Sequence, residues 1–197
     1  MKEVSYILVP GLGDQKPIFG WFYSGVGKRW ARKGMPTHVF DPLWISDEPY
    51  EQKYERLVAL IREQQRTGRG VVLVGISAGD TLALLAMAKL SEPPVALISI
   101  CGFVRLKESD RHNSPYAHLS WYRAGDAAEK ALATLSADRR GDIMCLIPRI
   151  DRVVEPERQR IEGATNVSMS ATGHLLGIVV ALVWRRRRIK HFVDQRV

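Results

Sequence analysis

The sequence predicts an α/β protein: a three-layer α/β/α sandwich in which helices cover both faces of a six-stranded, mainly parallel sheet. Three observations lead there. Short apolar runs alternate with longer amphipathic stretches along the chain, the pattern of strand–helix–strand crossovers. The run "GVVLVGI" (70–76) is apolar almost without interruption, as a strand covered on both faces must be. No internal repeat, low-complexity segment or linker divides the chain, so residues 1–197 are expected to form one domain around one core.

The elements follow in order. "VSYILVP" (4–10) reads as a first strand, and 18–34 as a helix ended by Gly34. "THVFDP" (37–42) is a second strand. Residues 51–68 form an amphipathic helix, with Tyr54, Leu57, Val58 and Ile61 on one stripe. The third strand, 70–76, runs into a largely apolar helix at 78–90. "PVALISICGF" (94–103) is the fourth strand, and 104–125 is a polar, irregular insertion of lid-like position. A helix at 126–137 leads to the fifth strand, 142–148, then a short helix at 156–161. The sixth strand, 165–170, precedes a last helix at 174–193.

Charge and composition exclude several function classes. The formal charge is +8, but the cations are scattered apart from Arg185 to Arg188. Neither zinc-finger spacing nor an aromatic RNA-binding motif accompanies them, so no nucleic-acid partner is expected. Cys101 and Cys145 both sit in apolar runs, which suits buried reduced thiols of a cytoplasmic protein and not a disulfide or a metal site. The longest apolar run, "LLGIVVALVW" (175–184), is about half of what a bilayer span needs, and the N-terminus lacks a secretory apolar core. No membrane insertion is expected. "WRRRRIK" (184–190) reads as the solvated end of the last helix, because 185–188 is basic all round and brings no apolar stripe of its own. Its arginines would offset the negative end of that helix dipole. The oligomeric state is not encoded in any feature of the sequence.

Ligands of parallel sheets bind beyond the carboxyl ends of the strands, so the residues just after each strand carry the chemistry. After the third strand comes "GISAG" (75–79). A G-x-S-x-G turn between strand and helix strains the backbone and lifts the serine above the sheet, here Ser77, at a helix N-terminus. A serine needs a base. Of His38, His112, His118, His174 and His191, only His174 directly follows a predicted strand. The base needs an acceptor to fix its tautomer. Asp151, on the loop after the fifth strand, is the candidate, with Glu155 as competitor and an ion pair with Arg149 or Arg152 as its structural alternative. After the first strand, "PGLGD" (10–14) places the backbone N–H of Leu12 where it can join that of Ala78 as an oxyanion hole. A dinucleotide reading of Gly11 and Gly13 fails at its third glycine, where the chain has Lys16, although Asp41 sits where a ribose ligand belongs.

With these parts together, the chain resembles an α/β-hydrolase of the small, nearly lidless kind: "VPGLGD" as the oxyanion loop, "GISAG" as the nucleophile elbow, "IDRVVEP" as the acid loop and "GH" as the base. The order Ser77, Asp151, His174 is the order that family uses. Pro10 stands where the family often has His. The resemblance implies a sheet ordered 2-1-3-4-5-6 and a cofactor-free, metal-free serine hydrolase acting on a small-molecule acyl substrate through an acyl-enzyme. The short insertion favours a carboxylic ester or thioester of a small or exposed acyl group. Phe19, Phe103, Tyr116, Trp121 and Val153 lie on or near the loops expected to line the pocket. The alternative is a ligand- or protein-binding module on the same fold with little or no activity.

Overall fold

The computed structural model describes residues 3–13, 16–102 and 120–197. Six strands form one sheet: β1 (Val4–Val9), β2 (Thr37–Val39), β3 (Gly70–Ile76), β4 (Ala96–Ile100), β5 (Ile143–Ile150) and β6 (Thr165–Thr172). Their order is β2-β1-β3-β4-β5-β6, and every pairing among them is parallel. The chain leaves β1 toward one edge to make β2, then returns to the other side of β1 and builds outward from β3. That reversal opens a crevice beyond the carboxyl ends of β1 and β3.

Alternate residues of the inner strands feed two cores. Tyr6 and Leu8 of β1, with Val72, Val74 and Ile76 of β3, pack beneath α1 (Pro17–Ala31). Ile7 and Val9, with Val71 and Leu73, pack beneath α2 (Tyr50–Arg66), α3 (Gly79–Lys89) and α4 (Ser120–Thr134). A small helix, α5 (Ala137–Gly141), is capped by Ser136, whose hydroxyl accepts the Arg139 N–H. All residues of β3 are buried, which accounts for its unbroken apolar run. In contrast β6, at the edge, alternates buried and exposed along its inner part.

Several expected boundaries shift. β2 stops at Val39, and the stretch after it is pinned by Lys53, a fully buried lysine on α2. Its ammonium donates to the Leu43 carbonyl at 2.6 Å and the Ser46 hydroxyl at 2.8 Å. β5 and β6 each run two residues further than expected, to Ile150 and Thr172. The segment 120–125, expected to be irregular insertion, is helical and is the start of α4. Trp121, Ala124, Ala128 and Ala131 recur at helical spacing and are buried, a stripe that the intervening Arg123 and Gly125 obscure in the sequence. The rest of the expected insertion, 104–119, lies outside the described residues.

The last helix is not continuous. It comprises α6 (His174–Val179), a π-helical turn (Val180–Trp184) and α7 (Arg186–Asp194). The indole N–H of Trp30 donates to the Leu182 carbonyl at 2.9 Å, and the Arg185 N–H reaches back to Val180 at 3.2 Å. The i to i−5 bond from Arg185 is the widened, π-helical turn, and the Trp30 bond falls within it. Ala181 and Leu182 are buried, whereas Leu175, Leu176 and Trp184 are exposed, so the apolar run 175–184 is covered on one face only. Arg186 to Arg188 fall in the first turn of α7, not in the last turns of a helix, so the dipole does not favour them there.

Candidate active site

Ser77 lies between β3 and α3 with φ of +51°. For a residue with a Cβ that left-handed conformation costs roughly 1–3 kcal/mol, and it persists because both sides of the turn are held. The Ser77 N–H donates to the Ile100 carbonyl at 3.0 Å, and its carbonyl accepts the Asp80 N–H at 3.0 Å. The flanking glycines are required by contact. A Cβ on Gly75 would sit 2.7 Å from the Asp80 Cα, and one on Gly79 would run into the Val9 carbonyl oxygen. The first loop closes on the same turn: a Cβ on Gly11 would lie 2.8 Å from the Ser77 Cβ and 3.2 Å from the Ala78 nitrogen. The loop carrying Leu12 therefore abuts the backbone of Ala78.

His174 is the first residue of α6, set by Gly173, whose N–H donates to the Ile150 carbonyl at 2.7 Å. Its Nε2 lies 2.9 Å from Ser77 Oγ and its Nδ1 lies 2.8 Å from Asp151 Oδ2. Asp151 is buried at the end of β5, while Arg149, Arg152 and Glu155 are exposed. Burial pushes its carboxyl up, but hydrogen bonds from His174 and from the N–H groups of Val154 and Val153 outweigh that and hold it below its usual value. An ionised Asp151 assigns the Nδ1 proton to His174 and leaves Nε2 to accept from the Ser77 hydroxyl.

Two neighbours of this array were not evident in the sequence. Gln159, buried in the short 3-10 turn Pro156–Gln159, donates its amide to Asp151 Oδ2 at 2.9 Å and to the Val154 carbonyl at 2.7 Å. Both contacts depend on how the acid loop folds back, which spacing does not encode. Asp80 is fully buried behind the elbow. It accepts from the Ser99 hydroxyl at 2.9 Å, and its other oxygen has no partner among the described residues. Burial pushes its carboxyl up to about 7, against the lowering effect of Ser99.

The cysteines are buried, as their apolar surroundings imply, and burial raises both thiols, that of Cys145 to about 12. Cys101 Sγ lies within 4.8 Å of the ligand atoms of Asp151 and His174, a set that has the chemistry to hold a metal ion. Asp151 already accepts four hydrogen bonds, however: Oδ1 from Val153 and Val154, Oδ2 from His174 and Gln159. A metal would have to displace some of them.

A small cavity of about 40 Å³ opens beside Ser77 and His174, walled by Leu12, Phe19, Tyr23, Leu175 and Ile178. Of the expected pocket residues, Phe19 is here. Trp121 is buried in the core under α4, and Val153 is exposed on the acid loop. Phe103 and Tyr116 lie outside the described residues, as do His112 and His118. Larger hollows of about 520 and 380 Å³ lie on the α2–α3–α4 side and contain none of the residues expected to be catalytic.

No protein-family model and no curated protein matches the sequence. Solved structures do match the fold. One, from the metagenome-derived lipolytic enzymes LipS and LipT, superposes with a TM-score of 0.72 at 15% identity, covering 98% of this chain and 94% of that one. Est1E from Butyrivibrio proteoclasticus gives 0.66 at 14% identity, covering 99% and 88%. The Paleococcus ferrophilus monoacylglycerol lipase gives 0.64 at 13% identity, covering 96% and 94%. With the strand order and the parallel sheet already described, these likenesses establish that the chain has the α/β-hydrolase fold.

Proposed function

We propose that this protein is a serine hydrolase that cleaves carboxylic esters or thioesters of small or exposed acyl groups through an acyl-enzyme. The observation that carries this reading is the unbroken hydrogen-bond path from Ser77 Oγ through His174 to Asp151, 2.9 and 2.8 Å long. His174 takes the Ser77 proton as the oxygen attacks the acyl carbon. The N–H groups of Leu12 and Ala78 stabilise the oxyanion. His174 then protonates the leaving alcohol or thiol, and the same imidazole activates the water that releases the acid. Asp151 stays ionised and steadies the imidazolium, while Gln159 positions Asp151. None of these steps calls on a metal or a cofactor. The fold's likeness to lipolytic enzymes and a monoacylglycerol lipase supports ester bonds as the substrate.

The test is fluorophosphonate labelling of the purified protein together with hydrolysis of p-nitrophenyl acetate. Labelling should map to Ser77, and Ser77→Ala should lose both labelling and on the order of 10⁴-fold in turnover. Turnover by Ser77→Ala at near the wild-type rate overturns the mechanism. A module that only binds would show neither labelling nor turnover.

A further inference from the structure

The net charge of this protein is concentrated on one helical layer. Residues 16–34, with α1, and 174–197, with α6, the π-helical turn and α7, hold eleven of the 29 Lys and Arg but one of the 21 Asp and Glu. The remaining chain has 18 cations against 20 acids, so these two segments account for the whole positive excess. Both segments pack on the same side of the sheet, with Tyr23, Val26 and Trp30 in one core with Ile178, Leu182 and Phe192.

The two segments also lie side by side. Phe19 and Leu175 wall the same cavity at one end, and Trp30 bonds to the Leu182 carbonyl further along, so α1 and 174–184 run in the same direction. Their outer faces expose large apolar side chains beside the cations. Trp21 is 83% exposed and Trp184 66%, with Ile18 and Leu176 also exposed. Along α1 and its C-cap residue, Trp21 falls in line with Lys28 and Arg32 at helical spacing, all three exposed. On the other segment Trp184 adjoins Arg185 to Arg188, at a helix start where the dipole opposes cations.

We propose that this layer docks flat on an anionic lipid surface. Basic residues interleaved with exposed tryptophans and aliphatics match the headgroup region of such a bilayer, where phosphate attracts the cations and the indoles settle at the interface. The apolar component missing from 185–188 itself comes from Trp184, Leu176 and the neighbouring helix, which only the folded chain brings alongside. A nucleic acid would use the cations but leave Ile18 and Leu176 without a role. The cavity beside Ser77 opens between α1 and α6, at the edge of this surface. Resting on the hydrolase reading above, the substrate is then an ester whose alcohol part remains in the bilayer while a small acyl group enters the cavity.

Flotation of the full-length protein with vesicles tests the docking without requiring turnover. Ser77→Ala should bind vesicles of phosphatidylglycerol and phosphatidylcholine at physiological salt, and not vesicles of phosphatidylcholine alone. Each cation near an anionic surface is worth about fivefold in affinity. Changing Arg185 to Arg188 together to Gln should therefore weaken binding at least tenfold. Trp21→Ser with Trp184→Ser should weaken it too and remove a blue shift of tryptophan emission on vesicle addition. p-Nitrophenyl acetate hydrolysis by the arginine and tryptophan variants should equal that of wild type, which keeps loss of docking distinct from loss of fold or of the hydrolase itself. No binding to anionic vesicles, binding that ignores the arginines, or tighter binding to double-stranded DNA that vesicles do not compete away would each overturn the proposal.

Discussion

Ser77 combines two demands that oppose each other. Its hydroxyl has to stand clear of the sheet at 2.9 Å from His174, and its backbone has to adopt a φ of +51° to put it there. Glycine takes that conformation without the steric cost. Ser77→Gly should therefore unfold at higher urea than Ser77→Ala, by roughly 1 kcal/mol, although both lack the hydroxyl. Equal stabilities would mean that the elbow is not strained. Gln159 shares Asp151 Oδ2 with the imidazole. Gln159→Leu removes a hydrogen bond to a charged group, worth about 1.5–3 kcal/mol. The expected result is a drop in kcat of roughly tenfold or more with little change in KM, measured on p-nitrophenyl acetate. A change confined to KM would assign Gln159 to substrate binding instead.

The start of α3 has a carboxyl that the proposed chemistry does not use. Asp80, one turn from Ser77, is buried with one oxygen unpartnered among the described residues, and its pKa is raised to about 7. A carboxyl raised in the folded state binds its proton there while the unfolded chain has already lost it. Its contribution to stability is therefore full below the unfolded value, near 4, and declines as pH rises toward about 7. Asp80→Asn keeps the shape and removes the titration. Urea unfolding at pH 5 and pH 8 should show wild type losing more stability with rising pH than Asp80→Asn does, and parallel behaviour would place the charge elsewhere. Asp151 works in the opposite sense. Its lowered carboxyl contributes stability above its unfolded pKa, lost as pH falls through the folded value.

The two helical layers divide the labour of the molecule. The α2–α3–α4 layer is close to balanced in charge and supplies much of the buried core, including nearly all of α3. The α1–α6–α7 layer has the positive excess and four walls of the cavity beside Ser77: Phe19, Tyr23, Leu175 and Ile178. The cavity of about 40 Å³ beside Ser77 is small and leaves little room for a long acyl chain. Across p-nitrophenyl acetate, butyrate, hexanoate and octanoate, kcat/KM should peak at the short end and fall with length. A steady rise to octanoate would require a deeper acyl channel than this cavity.

Local sequence determined the elements and the chemistry at their ends. An unbroken apolar strand has to be central, G-x-S-x-G between strand and helix has to strain its serine, and a histidine just after the last strand has to face the same edge. These are short-range properties, set by side-chain periodicity and backbone sterics. Tertiary structure decided what depends on distant partners. The indole of Trp30 bonds to the last helix where it turns π-helical, at Leu182, 152 residues further along. The fold of the acid loop brought Gln159 to Asp151, and the close approach of Gly75 and Gly102 to its carboxylate enclosed Asp80. The cations of residues 16–34 and 174–197 look scattered in the chain because their proximity comes from two helices packing on one face of a sheet. No local rule encodes that adjacency, since it arises from a crossover that carries the chain through every other strand first.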